Sequence, residues 1–269
     1  MLSVTSSCTP LPKDQKTDAE PSNATCGRLI LNADDWGRNR ETTQRTLECI
    51  QRGAISSVSA MVWMEDSERA SAVARDQGID AGLHLNFTTP FSSVTCPPRL
   101  RECQSNIAVH LRSPWARGIF HPLLVRSFEY LVAAQRDEFH RLYGAEPTRF
   151  DGHHHMHLSA NVLLGGLLPR GSVVRQHFSY EAGEKPVRNC IFRRATGVLL
   201  SRRYRVAEFL FLLPPLFPSA RIQKIFSLAQ HSVVEVETHP VNAEEYRFLS
   251  TGEIFRWTGA CPIATSYSV

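Results

Sequence analysis

The sequence predicts an α/β fold built on a parallel sheet, and two observations carry that prediction. From Arg28 onward apolar runs alternate with amphipathic stretches, the pattern that lays crossover helices over a parallel sheet. Four of the apolar runs end in polar or titratable groups: Asp34/Asp35, His84/Asn86, Asp151/His153/His155 and Glu237/His239. In a parallel barrel or open α/β sheet those C-terminal strand ends share one face, where active sites form.

The elements follow in order. "RLILNADD" is an apolar run with an acidic tip, read as a buried strand. "RNRETTQRTLECIQRG" is a helix stopped by Gly53. "AISSVSAMVW" is a second strand, "EDSERASAVARDQG" a second helix and "DAGLHLNFT" a third strand. Residues 90 to 120 carry prolines and no clear period, which predicts an irregular insertion over the site. "PLLVRSFEYLVAAQRDEFHRLYG" reads as a long amphipathic helix, and "PTRFDGHHHMH" as a strand running into a histidine cluster. "SANVLLGGLLPRG" is a helix with Ser159 as N-cap, and "SVVRQHF" another strand. Residues 184 to 230 read as helical and irregular. "HSVVEVETHP" is a late strand, "NAEEYRFLSTGEIFRWTG" a helical segment and "CPIATSY" a last short strand.

The bulk numbers narrow the class. With 269 residues, 42% of them hydrophobic, the chain has ample material for one large domain. Thirty Lys and Arg against 26 Asp and Glu give a net charge of +4. A nucleic-acid binder carries a stronger and more segregated excess. The seven cysteines are scattered without a CxxC pair, which points to a reducing compartment, the cytoplasm, and to thiols outside any disulfide framework. Residues 1–26 are polar, lack the apolar core of a secretory signal and read as a disordered leader before a domain at 27–269. The longest apolar run, 206–217, is too short to span a bilayer and reads as buried helix and loop, with a lid or lipid-facing patch as the alternative.

The strand tips carry the chemistry. Asp34 and Asp35 are adjacent on an extended chain, so their side chains are expected on opposite sides. One can bind a metal while the other acts as a base. His84 sits between leucines in "GLHLN", where a lone histidine is usually a satisfied core residue. If the strand persists through "DGHHHMH", Asp151, His153, His155 and His157 fall on one side and His154 on the other. A catalytic zinc-type site needs three protein ligands and an open position, so not all of these can bind. His239, fixed by Pro240, is a candidate general acid.

Taken together, "LILNADDWG", "AGLHLNFT", "FDGHHHMHL" and "VVEVETHP" resemble the ordered signature of the YdjC-like carbohydrate deacetylases, which include the chitooligosaccharide deacetylases. The resemblance spans roughly residues 28 to 269. It implies an irregular (β/α) barrel related to polysaccharide deacetylases and one divalent metal ion, Mg2+ or Zn2+. Carried over residue by residue, it implies Asp35, His84 and His153 as metal ligands, Asp34 as catalytic base and His239 as acid or transition-state stabiliser. Arg175 in "VVRQHF" matches a strand-end arginine near the pocket, and Arg175 and Asn86 are the expected substrate-binding residues. Trp36 stands where the family often has Phe, and "RNR" replaces a polar turn residue.

The expected reaction is hydrolysis of an N-acetyl group on a sugar or oligosaccharide. The expected partner is a small carbohydrate, with no nucleic acid, no stable membrane insertion and a homodimer left open. The rivals are a metal-dependent hydrolase of another ester or amide bond, and a non-catalytic carbohydrate-binding relative.

Overall fold

β1 (Arg28–Trp36) is buried along all but its first residue, because it lies between β2 (Ser57–Ala60) and β7 (Val233–Thr238) in the interior of a sheet whose pairings are all parallel. A strand covered on both faces has no use for alternating polarity, which is why "LIL", residues 29–31, reads as continuous apolar sequence. The computed structural model describes residues 27–113, 115–180, 184–214, 220–259 and 261–269. The expected leader, 1–26, lies outside the described residues.

The sheet has seven strands in the order β5-β4-β3-β2-β1-β7-β6. β3 is Ala81–Leu85, β4 Arg149–Gly152, β5 Val173–Val174 and β6 Phe209–Leu212. The edge strands approach each other. Val174 donates its N–H to the Arg205 carbonyl, and Ser179 donates to that of Leu210. The sheet therefore curls into an irregular barrel, as expected.

Helices α1 (Arg40–Gln51) and α2 (Ser67–Gln77) make the first two crossovers. Asn39 caps α1 by accepting the Thr42 N–H, and Gly78 ends α2 in the left-handed conformation that glycine adopts most readily. The 90–120 segment is not wholly irregular: it contains α3 (Pro98–Leu111), which starts on a proline. Its buried Leu100, Ile107 and Leu111 sit at helical spacing, and α3 packs on α4 (Val125–Tyr143). The prolines that obscured the period stand at the start of the helix and beyond its end. Ser159 takes the N-cap position of the short α5 (Ala160–Gly165), but its hydroxyl makes no capping bond.

Two further readings change. The 206–217 run holds β6, a strand too short to show a period, and residues 215–217 lie outside the described residues. It follows α6 (Val187–Ser201) and precedes α7 (Ala220–Leu228). "CPIATSY" forms a single parallel bridge, Ile263 to Leu29, in place of a strand. After α8 (Ala243–Ser250) this tail lies along the sheet and returns Tyr267 to its buried interior. No helix among the described residues is long and apolar enough to cross a membrane.

Candidate active site

All seven strands run the same way, so their C-terminal ends open on one rim. β1 delivers Asp34 and Asp35, β3 delivers His84, β4 delivers Asp151 and then His153, and β7 delivers Glu235, Glu237 and His239. Arg175 follows directly on β5. In-register pairing fixes the neighbours: His84 lies opposite Asp151, and Asn32 opposite Glu237.

The two aspartates do not point apart. The pairing of β1 with β2 slips between Ala33 and Trp36, and Asp35 adopts φ 65°. A non-glycine residue in the left-handed region stores strain, which surrounding structure must hold. The twist turns both carboxylates toward one cleft: Asp35 Oδ1 is 3.4 Å and Asp34 Oδ2 3.9 Å from His84 Nε2. Asp35 Oδ2 is held by Arg38 at 2.8 Å.

Strand alternation also stops early. β4 ends at Gly152, and residues 153–158 form tight turns with His154 and His155 both at φ 57°. The expected sharing of one side by Asp151, His153, His155 and His157 is thereby overturned. Gly152 fits because a Cβ there would sit 3.1 Å from His157. His153 swings its Nδ1 to 2.9 Å from Asp35 Oδ1. His154 meets the Thr88 hydroxyl, and His155 meets Glu237 at 3.3 Å. His157 is fully buried and donates from Nε2 to the Arg175 carbonyl at 2.8 Å. Burial pushes its pKa down to about 3, so it stays neutral.

Asp35, His84 and His153 bring three ligand atoms within 4.8 Å of one another, all on buried residues. His84 donates Nδ1–H to Asp151 at 2.8 Å, which leaves Nε2 facing the cluster. That Nε2 and Asp35 Oδ1 are buried without a hydrogen-bond partner among the described residues. Buried polar atoms without partners are costly, and a cation bound there in place of the imidazole proton would satisfy both. Burial opposes a charged His84, but Asp34 and Asp151 overcome it and hold the imidazole well above its ordinary range. Burial likewise opposes the Asp35 anion, yet His153 and His84 keep its carboxyl well below the usual range. The pocket favours positive charge, and its donor set could hold a divalent metal ion.

Arg175 organises the other half. It is fully buried and reaches four carboxylates: Asp34 at 2.7 and 2.8 Å, Glu235 at 2.8 Å, Glu237 at 3.0 Å and Asp151 at 3.1 Å. Asn32 donates to Asp34 at 2.8 Å, and Ser59 donates to Asp151. The expectation that Arg175 touches substrate is corrected here, because its donors are committed to protein carboxylates inside the barrel. Asn86 is corrected too. Its side chain is buried, accepts the Thr88 and Thr89 N–H groups and donates to the Thr89 carbonyl, so it shapes a turn.

His239 is partly exposed, 3.9 Å from Glu237, and its N–H donates to Glu245 at 2.6 Å. Asp34, Asp35, His84, His153 and His239 all line one cleft of about 470 Å3. His154, His155 and Phe178 connect it to a second cavity of about 580 Å3. Glu235, Glu245 and Tyr267 escaped the sequence reading. The two glutamates of "VVEVET" stand at the period of two that aims both inward, a signal that was present. Glu245 and Tyr267 carried no such signal.

A family model described as YdjC-like protein matches residues 28–243. A chitooligosaccharide deacetylase of Enterobacter sp. (strain 638) is 30% identical over 131 residues, 48% of this chain and 50% of that protein. One of Serratia marcescens is 30% identical over 135 residues, 50% of this chain and 52% of that protein. The chain thus spans about half the length of these curated relatives. Among solved structures, an Enterococcus faecalis V583 protein, whose name proposes cellobiose-phosphate cleavage, superposes with TM-score 0.63 at 17% identity. The match covers 90% of this chain and 97% of that one.

Proposed function

The chain belongs to the YdjC-like family, and from that premise we propose that it removes acetyl groups from N-acetylated sugars or oligosaccharides by metal-dependent amide hydrolysis. One observation carries the reading. A three-ligand cluster, a tethered carboxylate and a partly exposed histidine face one another across a single cleft. The curated relatives named chitooligosaccharide deacetylase support the substrate class.

Asp35, His84 and His153 would hold the ion. Two imidazoles and one carboxylate suit zinc or a similar transition metal better than magnesium. When bound, such an ion supplies Lewis acidity and an acidified water.

The chain's own residues do the rest. Asp34 takes the proton of the attacking water: its Oδ2 is the oxygen on the cleft side, while Arg175 fixes the plane of the carboxylate from behind. Asp151 keeps the His84 ring oriented. His239 stands at the cleft mouth and gives a proton to the departing amine, so that the C–N bond breaks to acetate and a free amino sugar. Seven scattered cysteines without a CxxC pair fit a reducing compartment such as the cytoplasm.

The test is acetate release from acetylated chitooligosaccharides by metal-loaded protein, beside a generic phosphoester. Acetate release that Asp34→Asn abolishes supports the reading. Turnover of the phosphoester alone, or binding of the sugar without turnover, overturns it.

A further inference from the structure

The outward face of α6 is apolar, the reverse of what a surface helix in water requires. Val187 and Ile191 lie one turn apart with Phe192 beside them, all exposed, while Thr196, Gly197 and Leu200 face the protein. The segment after α3 adds Trp115, Ile119 and Leu123, with Leu123 86% and Val187 76% exposed. The two segments form one surface. A Cβ on Gly118 would lie 3.5 Å from the Phe192 ring, and the Arg188 guanidinium sits 5.3 Å above the Trp115 ring. A contiguous apolar face of this kind on a water-soluble chain marks an interaction site.

Charge says what covers it. The sequence contains no Asp or Glu from Val109 to Phe128, where it has three arginines. It has none from Lys185 to Ala207 either, where it has seven Lys and Arg. Arg117, Arg188 and Arg194 stand within or beside the apolar patch. A second copy of the chain would set this acid-free surface against itself, with like charges opposed. A Trp, aliphatic side chains and a surround of arginines instead match the boundary of a membrane, where apolar groups enter the headgroup layer and guanidiniums meet phosphates.

We propose that this face docks the protein onto an anionic lipid bilayer as a peripheral, non-spanning contact. The cavity of about 580 Å3 opens in the same face, between Trp115, Arg117 and Phe192, and passes His154 and His155 into the catalytic cleft. Docking there would turn the mouth of the site toward the membrane. The inference stands on the surface alone and does not depend on which bond the site cleaves.

The experiment is flotation of the full chain with vesicles of phosphatidylglycerol and phosphatidylcholine in equal parts, beside vesicles of phosphatidylcholine alone. Binding is expected to the anionic vesicles only, and it should weaken when salt rises from about 0.05 M to about 0.5 M. Ile191→Glu and Leu123→Glu should each lower the bound fraction about tenfold. Both positions are exposed, and near-ultraviolet circular dichroism verifies that each variant keeps its fold. Failure to float with either vesicle, equal binding to both, or undiminished binding by the two variants overturns the proposal. So does a wild-type dimer that Ile191→Glu converts to monomer, which would give the face to a second copy.

Discussion

Asp34 and Arg175 meet in a two-point ion pair, with Nη1 to Oδ2 at 2.7 Å and Nη2 to Oδ1 at 2.8 Å, both side chains buried. The guanidinium is shared, however, with Asp151, Glu235 and Glu237. Burial works against its charge, and the four carboxylates more than offset this, holding its pKa well above the ordinary value. One residue thereby keeps the candidate base in place and neutralises the floor of the barrel.

Arg175→Met should therefore be severe. It leaves a cluster of buried carboxylates without a counter-charge, and removing one partner of a buried pair costs about 3–5 kcal/mol. Arg175→Lys keeps the charge but loses the planar fork. It should fold, with kcat reduced about a hundredfold or more through a misplaced Asp34 and KM little changed. Urea unfolding and steady-state kinetics read the two effects. A Lys variant with wild-type kcat would remove Arg175 from any positioning role.

His153 and His157 have opposite fates although they stand only four positions apart. His153 Nδ1 joins the ligand cluster, whereas His157 Nε2 is committed to the Arg175 carbonyl. His153→Ala should lose stoichiometric metal, measured on the purified protein, with stability little changed. His157→Ala should retain metal but unfold more readily, by about 1–3 kcal/mol for the stranded carbonyl. The reverse pattern would sink the ligand assignment.

The strand tips were legible because burial and polarity conflict there. An apolar run that ends "NADD" or "VETHP" has a reason other than packing. What the sequence hid was backbone shape. Alternation along an extended chain sets Asp34 and Asp35 apart, and the left-handed Asp35 undoes it. The same holds for His154 and His155, whose positive φ ends the alternation of β4. Asp and His adopt positive φ more readily than most residues, but residue type alone does not say which Asp or His will do so. Arg175 was visible as a strand-end arginine, but its depth was not, since its four partners come from three other strands. β6 was missed because four residues show no period.

Glu245 should impose a pH dependence on stability. Burial pushes its carboxyl up to about 7 from the ordinary 4.5, even though the His239 N–H and the His239 charge pull the other way. The folded state thus holds this proton more tightly than the unfolded chain. Its contribution is fully present below about pH 4.5 and is lost as pH rises to about 7. Glu245→Gln, which cannot titrate, should remove that decline. The measurement is the urea midpoint of each protein across this range. Parallel curves for wild type and variant would show that Glu245 titrates normally.

Tyr267 reaches the same network from the last residues of the chain. Its hydroxyl donates to Glu235 Oε2 at 2.5 Å, and Glu235 Oε1 accepts from Arg175 Nε at 2.8 Å. Its N–H donates to Asp80 at 2.7 Å, and Arg149 lies 4.4 Å over its ring. Burial pushes the Glu235 carboxyl up, while Arg175 and the tyrosine hydroxyl restrain it. Tyr267→Phe strands one buried carboxylate oxygen and should cost about 1–3 kcal/mol. Asp34, Asp151 and Glu237 still hold Arg175, so the candidate base stays in register and metal content should be unchanged. A urea midpoint lowered with metal content intact fits that arrangement. A variant as stable as wild type would mean that the hydroxyl does not support the buried carboxylates.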